Sequence, residues 1–381
     1  MRRRLFAISL ALLLSSPAVF AAMPQAPPPQ STTPPAGQGR PGQPPAPPAG
    51  QRQARPAAEQ PQTPARPPAP TLPASEGPPE YGPAKGTLVI VGGGATEGTG
   101  IVEKFIALAG GPEKKFIVVP TAGGNKNADG TVREYKEEQV VASWLKRGLK
   151  NVKMLHTHDP KVADTEEFVK DLRQADAVWF DGGRQWNIVD SYANTLTVKE
   201  FHKVLERGGV IGGSSAGATI QGDYLVRGAI AGPNIMMTPE KEHEHGFVFL
   251  RRSAIDQHIN TRMRWDDLIE VIKKMPTLLG IGLSEGTAII VKGDTFEVMG
   301  KWKVAVHDNT RLYQPWEKPY FVLSAGDVYD MKARRVIKLG IGSTTPPSRR
   351  SDWSATECGL RPSTPLRPGK PRPALGVSSR P

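Results

Sequence analysis

The sequence predicts an α/β fold: a mainly parallel β-sheet covered by helices on both faces, with a C-terminal antiparallel extension. Three observations carry that expectation. Short, almost wholly apolar runs alternate with amphipathic stretches from residue 87 to residue 214, as strands buried on both faces require. Three of the runs end in glycine-rich turns, at Gly92-Gly93-Gly94, Gly182-Gly183 and Gly212-Gly213. Past Leu279 the helical spacing gives way to short strands separated by turns.

In chain order, Met1-Arg2-Arg3-Arg4 precedes an apolar run from Leu5 to Leu14 and a small-residue exit at Ala21-Ala22. A basic start, a short apolar stretch and a small-residue exit define a secretory signal peptide over residues 1–21; an uncleaved anchor is the alternative. Residues 22–85 are rich in Pro, Ala, Gln and Gly, a composition that buries no core, and read as a disordered linker. Residues 86–340 are expected to fold as one domain, and residues 341–381, rich in Pro, Ser and Arg, to form a disordered tail. No later stretch is apolar enough to span a bilayer. The expected location is secreted or periplasmic.

The net charge of +12 lies in the ends. Residues 1–85 hold 8 Lys/Arg against 3 Asp/Glu and residues 341–381 hold 7 against 2, which leaves 34 against 32 between them. A nearly neutral folded part does not point to a nucleic-acid groove. The single cysteine, Cys358, rules out a disulfide framework and thiolate metal sites in the core.

Within the folded region, strands are expected at Thr87–Val91, Phe116–Pro120, Val152–Leu155 and Ala177–Phe180. Helices are expected through Ile101, Phe105 and Leu108, from Val132 to Arg147, and from Val198 to Arg207. Asp164 and Glu167 suggest a capping box for a helix carrying Phe168 and Leu172. Later strands are expected at Leu279–Leu283, Thr287–Val291, Phe296–Met299 and Lys303–Val306. The glycine-rich strand ends fall on one edge of the sheet, where ligand clefts of open parallel sheets lie. Gly92-Gly93-Gly94 lacks the spacing of a dinucleotide site, and no cofactor is expected.

Gly213-Ser214-Ser215-Ala216-Gly217 is a G-x-S-x-G at a strand-to-helix turn. Such a turn holds its serine exposed at the amino end of a helix, whose free N–H groups suit a developing oxyanion. Ser215 is thus a candidate nucleophile, with a phosphate-binding turn or a plain tight loop as the alternatives. His258, in Asp256-Gln257-His258, is the histidine most suggestive of a general base; a structural histidine is the alternative. His243 and His245 alternate with Glu240, Glu242 and Glu244, a polar run that fits a solvated loop better than a metal site, so none is expected.

Together, the motif around Ser215, the Gly182-Gly183-Arg184-Gln185 turn, Asp256-Gln257-His258 with Arg262 and Arg264, and Gly280 to Ala288 resemble the cyanophycinase and peptidase E family of serine peptidases. The resemblance covers about residues 86–310 and implies a fold like that of class I glutamine amidotransferases. It implies Ser215 as nucleophile, His258 as base, and the N–H groups of Gly183 and Ala216 as oxyanion hole. It further implies a substrate-binding set in which Gln185 lines the pocket, Asp256 and Gln257 shape the site, and Arg262 and Arg264 face the acidic or carboxylate parts of the substrate. The activity implied is release of Asp-containing dipeptides from a peptide or cyanophycin-like polymer, a poly-aspartate with arginine on each β-carboxyl. A homodimer is compatible with this reading.

Two positions depart from the family. No acid lies in Ile230 to Pro233, where one is expected to orient the histidine, which leaves Glu240, Glu242 or Glu244 as candidates. Asp267 stands where cyanophycinases carry a third arginine. Competing readings are a secreted peptidase for other acidic peptides and a tethered binding protein that lost turnover with its acid.

Overall fold

The computed structural model describes residues 71–343 apart from residue 128. The signal-peptide expectation, most of the linker and nearly all of the tail, with Cys358, lie outside the described residues. The first half of the fold runs β1 (Thr87–Val91), α1 (Ile101–Leu108), β2 (Lys115–Val119), α2 (Glu137–Lys146), β3 (Asn151–Met154), α3 (Pro160–Ala163), α4 (Glu166–Val169), β4 (Ala177–Phe180), α5 (Gln185–Tyr192), α6 (Leu196–Glu206), β5 (Val210–Ser214) and α7 (Ala216–Thr219). The second half runs β6 (Ser253–Gln257), α8 (Leu268–Lys274), β7 (Leu279–Leu283), β8 (Thr287–Lys292), β9 (Thr295–Gly300), β10 (Val304–His307), β11 (Phe321–Leu323), β12 (Val328–Asp330) and β13 (Arg335–Lys338).

The main sheet has the order β13-β12-β9-β8-β1-β5-β4-β2-β3. From β1 to β3 every pairing is parallel, and β8, β9, β12 and β13 extend the sheet antiparallel beyond β1. Side chains alternate between two cores, because successive strand residues point to opposite faces. Leu88, Ile90, Val178, Phe180 and Ile211 pack into one cluster, with Ile188 and Tyr192 of α5 and Phe201 and Val204 of α6. Val89, Val91, Trp179 and Val210 pack into the other, with Phe105 of α1 and Trp144 of α2. Phe105 meets the Trp179 ring edge-on at 5.0 Å, and Phe180 meets Phe201 edge-on at 4.9 Å.

A second sheet, β11-β10-β7-β6, pairs β6 with β7 in parallel and the other strands antiparallel. The sequence pattern merged Leu279–Leu283 with the antiparallel extension; the structure gives that strand to this second sheet. Strands β11, β12 and β13 were not expected, being only three or four residues long.

Several boundaries also move. The helix expected from Val132 starts at Glu137, because residues 125–133 fold back through a bridge between Lys126 and Val132. The capping box at Asp164 is not formed: Thr165 caps α4 by accepting from Phe168 N at 3.3 Å, while Asp164 accepts from Leu196 N at 2.7 Å. The end of the expected linker packs on the domain. Tyr81 is buried, Glu80 N and Tyr81 N donate to Asp294 Oδ1 at 2.7 and 2.8 Å, and Ser75 N donates to Asp330 Oδ2 at 2.6 Å.

Register brings the glycine-rich turns together. Val91 lies opposite Ser214 and Phe180 opposite Gly213, so the turns after β1, β4 and β5 end side by side. Gln257 lies opposite Leu283, and His258 N donates to Gly92 O at 2.9 Å, which joins the end of β6 to the same edge.

Candidate active site

Ser215 sits between β5 and α7 with φ 58° and ψ −114°, a conformation costing about 1–3 kcal/mol that surrounding structure must enforce. The flanking glycines enforce it. A Cβ on Gly213 would lie 2.2 Å from Gly217 O, and one on Gly217 would lie 2.1 Å from Phe180 O. Ser215 N donates to Val91 O at 3.1 Å, anchoring the turn to β1. Its hydroxyl stands 2.8 Å from His258 Nε2.

His258 Nδ1 lies 2.5 Å from Glu285 Oε1, and Thr261 Oγ1 donates to that oxygen at 2.9 Å. Asn260 Oδ1 accepts from Glu285 N at 2.9 Å, which fixes the backbone that presents the carboxylate. The pair rests on β1's glycine turn. A Cβ on Gly93 would come within 2.2 Å of the His258 ring, and one on Gly94 within 2.6 Å of Glu285 Oε2. Burial pushes the His258 imidazole below its usual pKa against the opposing pull of Glu285. Burial raises the Glu285 carboxyl, but hydrogen bonds from His258 and Thr261 more than offset it and leave it below the usual value.

Glu285 therefore holds the position expected of Glu240, Glu242 or Glu244. The Glu240 carboxylate accepts from Thr238 Oγ1 at 2.8 Å, Glu242 is exposed, and Glu244 is held through its backbone carbonyl by Leu225 N at 2.9 Å. The acid comes from the end of β7, the parallel partner of β6, so a strand pairing delivers it and not a loop near the serine. The sequence carried a signal for it: Ser284-Glu285-Gly286 closes an apolar strand inside one of the motifs of the resemblance.

Gly183 and Ala216 flank the serine. Gly182 backs it closely, since a Cβ there would lie 3.7 Å from Ser215 Oγ. Ala216 opens α7, where backbone N–H groups have no helical partner. Gly183 N–H donates to no protein group among the described residues. These two donors can meet an oxyanion formed at a carbonyl attacked by Ser215.

Ser215 and His258 open into a pocket of about 560 Å³, lined also by Gln185, Gln257 and five arginines: Arg133, Arg184, Arg227, Arg262 and Arg264. No carboxylate is among its lining residues. Arg133, Arg184 and Arg262 form no ion pair among the described residues. Arg264 is buried, with Nη1 3.4 Å from Gln257 O, and burial together with the charge of Arg227 lowers its pKa.

Of the other expected residues, Gln185 and Gln257 line the pocket, and Asp256 and Gln185 have their side chains engaged by the protein itself. Asp256 is fully buried and grips Arg227, with Nε to Oδ1 at 2.8 Å and Nη2 to Oδ2 at 3.0 Å, so it shapes the pocket from behind. The Gln185 amide nitrogen is occupied by Val226 O at 2.7 Å and Arg227 O at 2.9 Å, which ties the segment after α7 to the pocket wall. Gln257 keeps a buried Oε1 with no protein partner, and that oxygen can accept a substrate N–H. Arg262 to Asp267 lie in the turn segment ahead of α8, which begins at Leu268. Asp267 pairs with Arg227 Nη2 and is not among the lining residues.

Sequence reasoning missed Arg133 and Arg227, whose surroundings carry no motif, and gave no role to Arg184, although it stands in the Gly182-Gly183-Arg184-Gln185 turn. His243 Nε2 meets Asp190 Oδ1 at 2.6 Å, and His245 Nδ1 lies 3.4 Å from Asp223 Oδ1. Both histidines thus have single carboxylate partners.

A strained serine at the carboxyl edge of a parallel sheet, against a histidine that a glutamate holds, is the constellation of a serine hydrolase. The sequence profile of Peptidase family S51 matches residues 88–299, over half of the chain, and the protein belongs to that family. It is 25% identical over 234 residues to a cyanophycinase of Geminocystis herdmanii, covering 60% of this chain and 82% of that one. A cyanophycinase of Synechococcus elongatus is 25% identical over 283 residues, covering 69% and 85%. The crystal structure of a peptidase from an acI-B1 actinobacterium shares the fold with a TM-score of 0.51 and 23% identity, covering 66% of this chain and 98% of that one.

Proposed function

We propose that the protein is an exported serine exopeptidase that hydrolyses cyanophycin or related Asp-containing peptides to dipeptides. Ser215 attacks the scissile carbonyl while His258 Nε2 takes its proton. Glu285 holds the imidazole with Nδ1–H toward itself and stabilises the imidazolium that forms. The N–H groups of Gly183 and Ala216 receive the oxyanion. His258 then protonates the leaving amine, and a water molecule, deprotonated by the same imidazole, releases the acyl group from Ser215. Arg262 and Arg264 receive substrate carboxylates, with Arg133 and Arg184 along the same wall.

The observation that carries the reading is the Ser215–His258–Glu285 line, with contacts of 2.8 and 2.5 Å, opening into an arginine-lined pocket. It also supports turnover over a binding-only role, because the acid thought to be missing is supplied by Glu285. The test is labelling of the mature protein with a fluorophosphonate, followed by incubation with insoluble cyanophycin and with an acidic peptide panel. The expected result is label on Ser215 and dipeptide products by mass spectrometry, both abolished in Ser215→Ala and retained in Ser214→Ala. Equal loss in both variants would contradict the assignment.

A further inference from the structure

The arginine pocket accounts for carboxylates but offers nothing to a cation. A second groove of about 350 Å³ adjoins it, sharing Gly123, Arg133 and Gly182 with the first and lined further by Glu134, Tyr135, Lys136 and Asp181; Glu134 is exposed, and only Asp181 is joined directly to the turn behind Ser215. We propose that Asp181 is a specificity-determining residue that receives a cationic group of the substrate, an ammonium or a guanidinium, in this groove beside Ser215. The proposal rests on the peptidase reading of the same site and deepens it to a zwitterionic substrate.

Position comes first. Asp181 follows β4 directly, its N–H donates to Val119 O at 3.0 Å, and the next residue, Gly182, backs Ser215. The carboxylate therefore hangs from the rigid sheet edge that also carries the oxyanion turn, one residue from it. A substrate whose carbonyl lies on Ser215 and whose carboxylates meet Arg262 and Arg264 has this groove as the nearest space for its remaining groups.

Electrostatics comes second. A partly buried carboxylate without a cation carries a desolvation cost that a cationic partner offsets. Asp181 forms no ion pair among the described residues, although Arg133 and Lys136 line the same groove. Arg133 is directed elsewhere: its Nη1 donates to Gly123 O at 2.6 Å and its guanidinium stands over the Tyr135 ring at 5.5 Å. Tyr135 in turn gives its hydroxyl to Gly124 O at 2.8 Å. Burial pushes the Asp181 carboxyl up to about 6, opposed by a hydrogen bond from the Trp179 side chain. At neutral pH Asp181 is thus largely ionised, and neither Arg133 nor Lys136 forms an ion pair with it.

The cation can come from the N-terminal ammonium of a peptide or from a basic side chain such as an arginyl group on an aspartate. Three aspartyl peptides separate these sources: one with a free amino end and neutral side chains, one N-acetylated with an arginyl group, and one N-acetylated with citrulline in its place. Binding of each is measured by calorimetry on full-length Ser215→Ala protein, with and without Asp181→Asn. We expect one of the two cationic peptides to bind about tenfold more tightly than the citrulline peptide, and that advantage to vanish in the Asp181→Asn variant. The peptide that shows the advantage identifies the source. Equal affinity of all three peptides for the protein carrying Asp181 overturns the proposal, and this comparison does not depend on whether the variant folds. Equal weakening of all three by Asp181→Asn also overturns it, as a structural effect. Fluorophosphonate labelling of Ser215 reports separately on the peptidase reading.

Discussion

At Ser215 the backbone conformation, the two flanking glycines and the hydrogen bond to β1 converge on one outcome, an exposed hydroxyl held against an imidazole. His258 is itself at φ 58°, so both partners are fixed by strained turns and not by flexible loops. Three expectations belong to this scale. Glu285→Gln removes the acceptor that selects the His258 tautomer, and kcat should fall on the order of 10⁴-fold in steady-state assays, with KM little changed. The base is neutral His258, and its pKa is lowered by burial, so the acid limb of kcat/KM should lie below pH 6.5. Glu285 acts to raise that pKa, so in Glu285→Gln the residual limb should move to still lower pH. A limb above pH 6.5 would contradict this. Gly93→Ala places a methyl 2.2 Å from the His258 ring on a backbone at φ 102°. A displacement near 1 Å should cost kcat about 100-fold, while the Ser215 hydroxyl and the arginines stay in place.

At the scale of elements, the parallel strands were legible as short, mostly apolar runs, three of them closed by glycine, the serine turn among these. His258 was legible from its setting in Asp256-Gln257-His258 and from the resemblance. Glu285 was not assigned, because it reaches His258 through the pairing of β6 with β7 and no local spacing records that pairing. Arg227 was invisible in a similar way: it approaches the pocket from the segment after α7 and is held by Asp256, 29 residues on, and by Asp267, 40 residues on. This network changes what Asp267 is expected to do. It does not replace a substrate-binding arginine in the pocket; it neutralises one already there. Asp267→Arg should set two guanidinium groups against each other. At about 4 Å and an effective dielectric near 20 that repulsion approaches 4 kcal/mol, reduced by screening because the Asp267 side chain is 35% exposed. The expected outcome is a lowered Tm. Asp267→Asn should instead leave Arg227 with one carboxylate and lower KM for multi-carboxylate peptides several-fold. An unchanged Tm in the arginine variant and an unchanged KM in the asparagine variant would show that Asp267 acts on neither.

At the scale of the whole chain, the catalytic domain reaches further toward the N-terminus than composition suggests. The segment ahead of β1 is rich in proline, which has no backbone donor to satisfy, and the N–H groups of Leu72, Ser75, Glu80, Tyr81 and Gly82 are all met by the domain. Leu72 N donates to Ile337 O at 2.7 Å, and Arg251 receives the carbonyls of Pro79, Glu80 and Gly82 at 2.9, 3.0 and 2.7 Å. Tyr81 is buried, and its hydroxyl accepts from Arg334 Nη2 at 2.7 Å. Two truncations therefore differ sharply. A chain starting at residue 71 keeps all of these contacts and should keep the Tm of the protein lacking only residues 1–21. A chain starting at residue 86 loses the Tyr81 side chain, worth about 1.5–3 kcal/mol, and exposes the Arg251 guanidinium and the Asp294 carboxylate, each lost hydrogen bond adding about 1 kcal/mol. For a domain of this size each kcal/mol is about 2–4 °C, so its Tm should fall by roughly 10 °C or more. Differential scanning calorimetry on the two truncations decides the matter. Equal melting temperatures would return the start of the domain to residue 86, whereas the expected gap would mean that a chain cleaved within residues 71–85 loses stability.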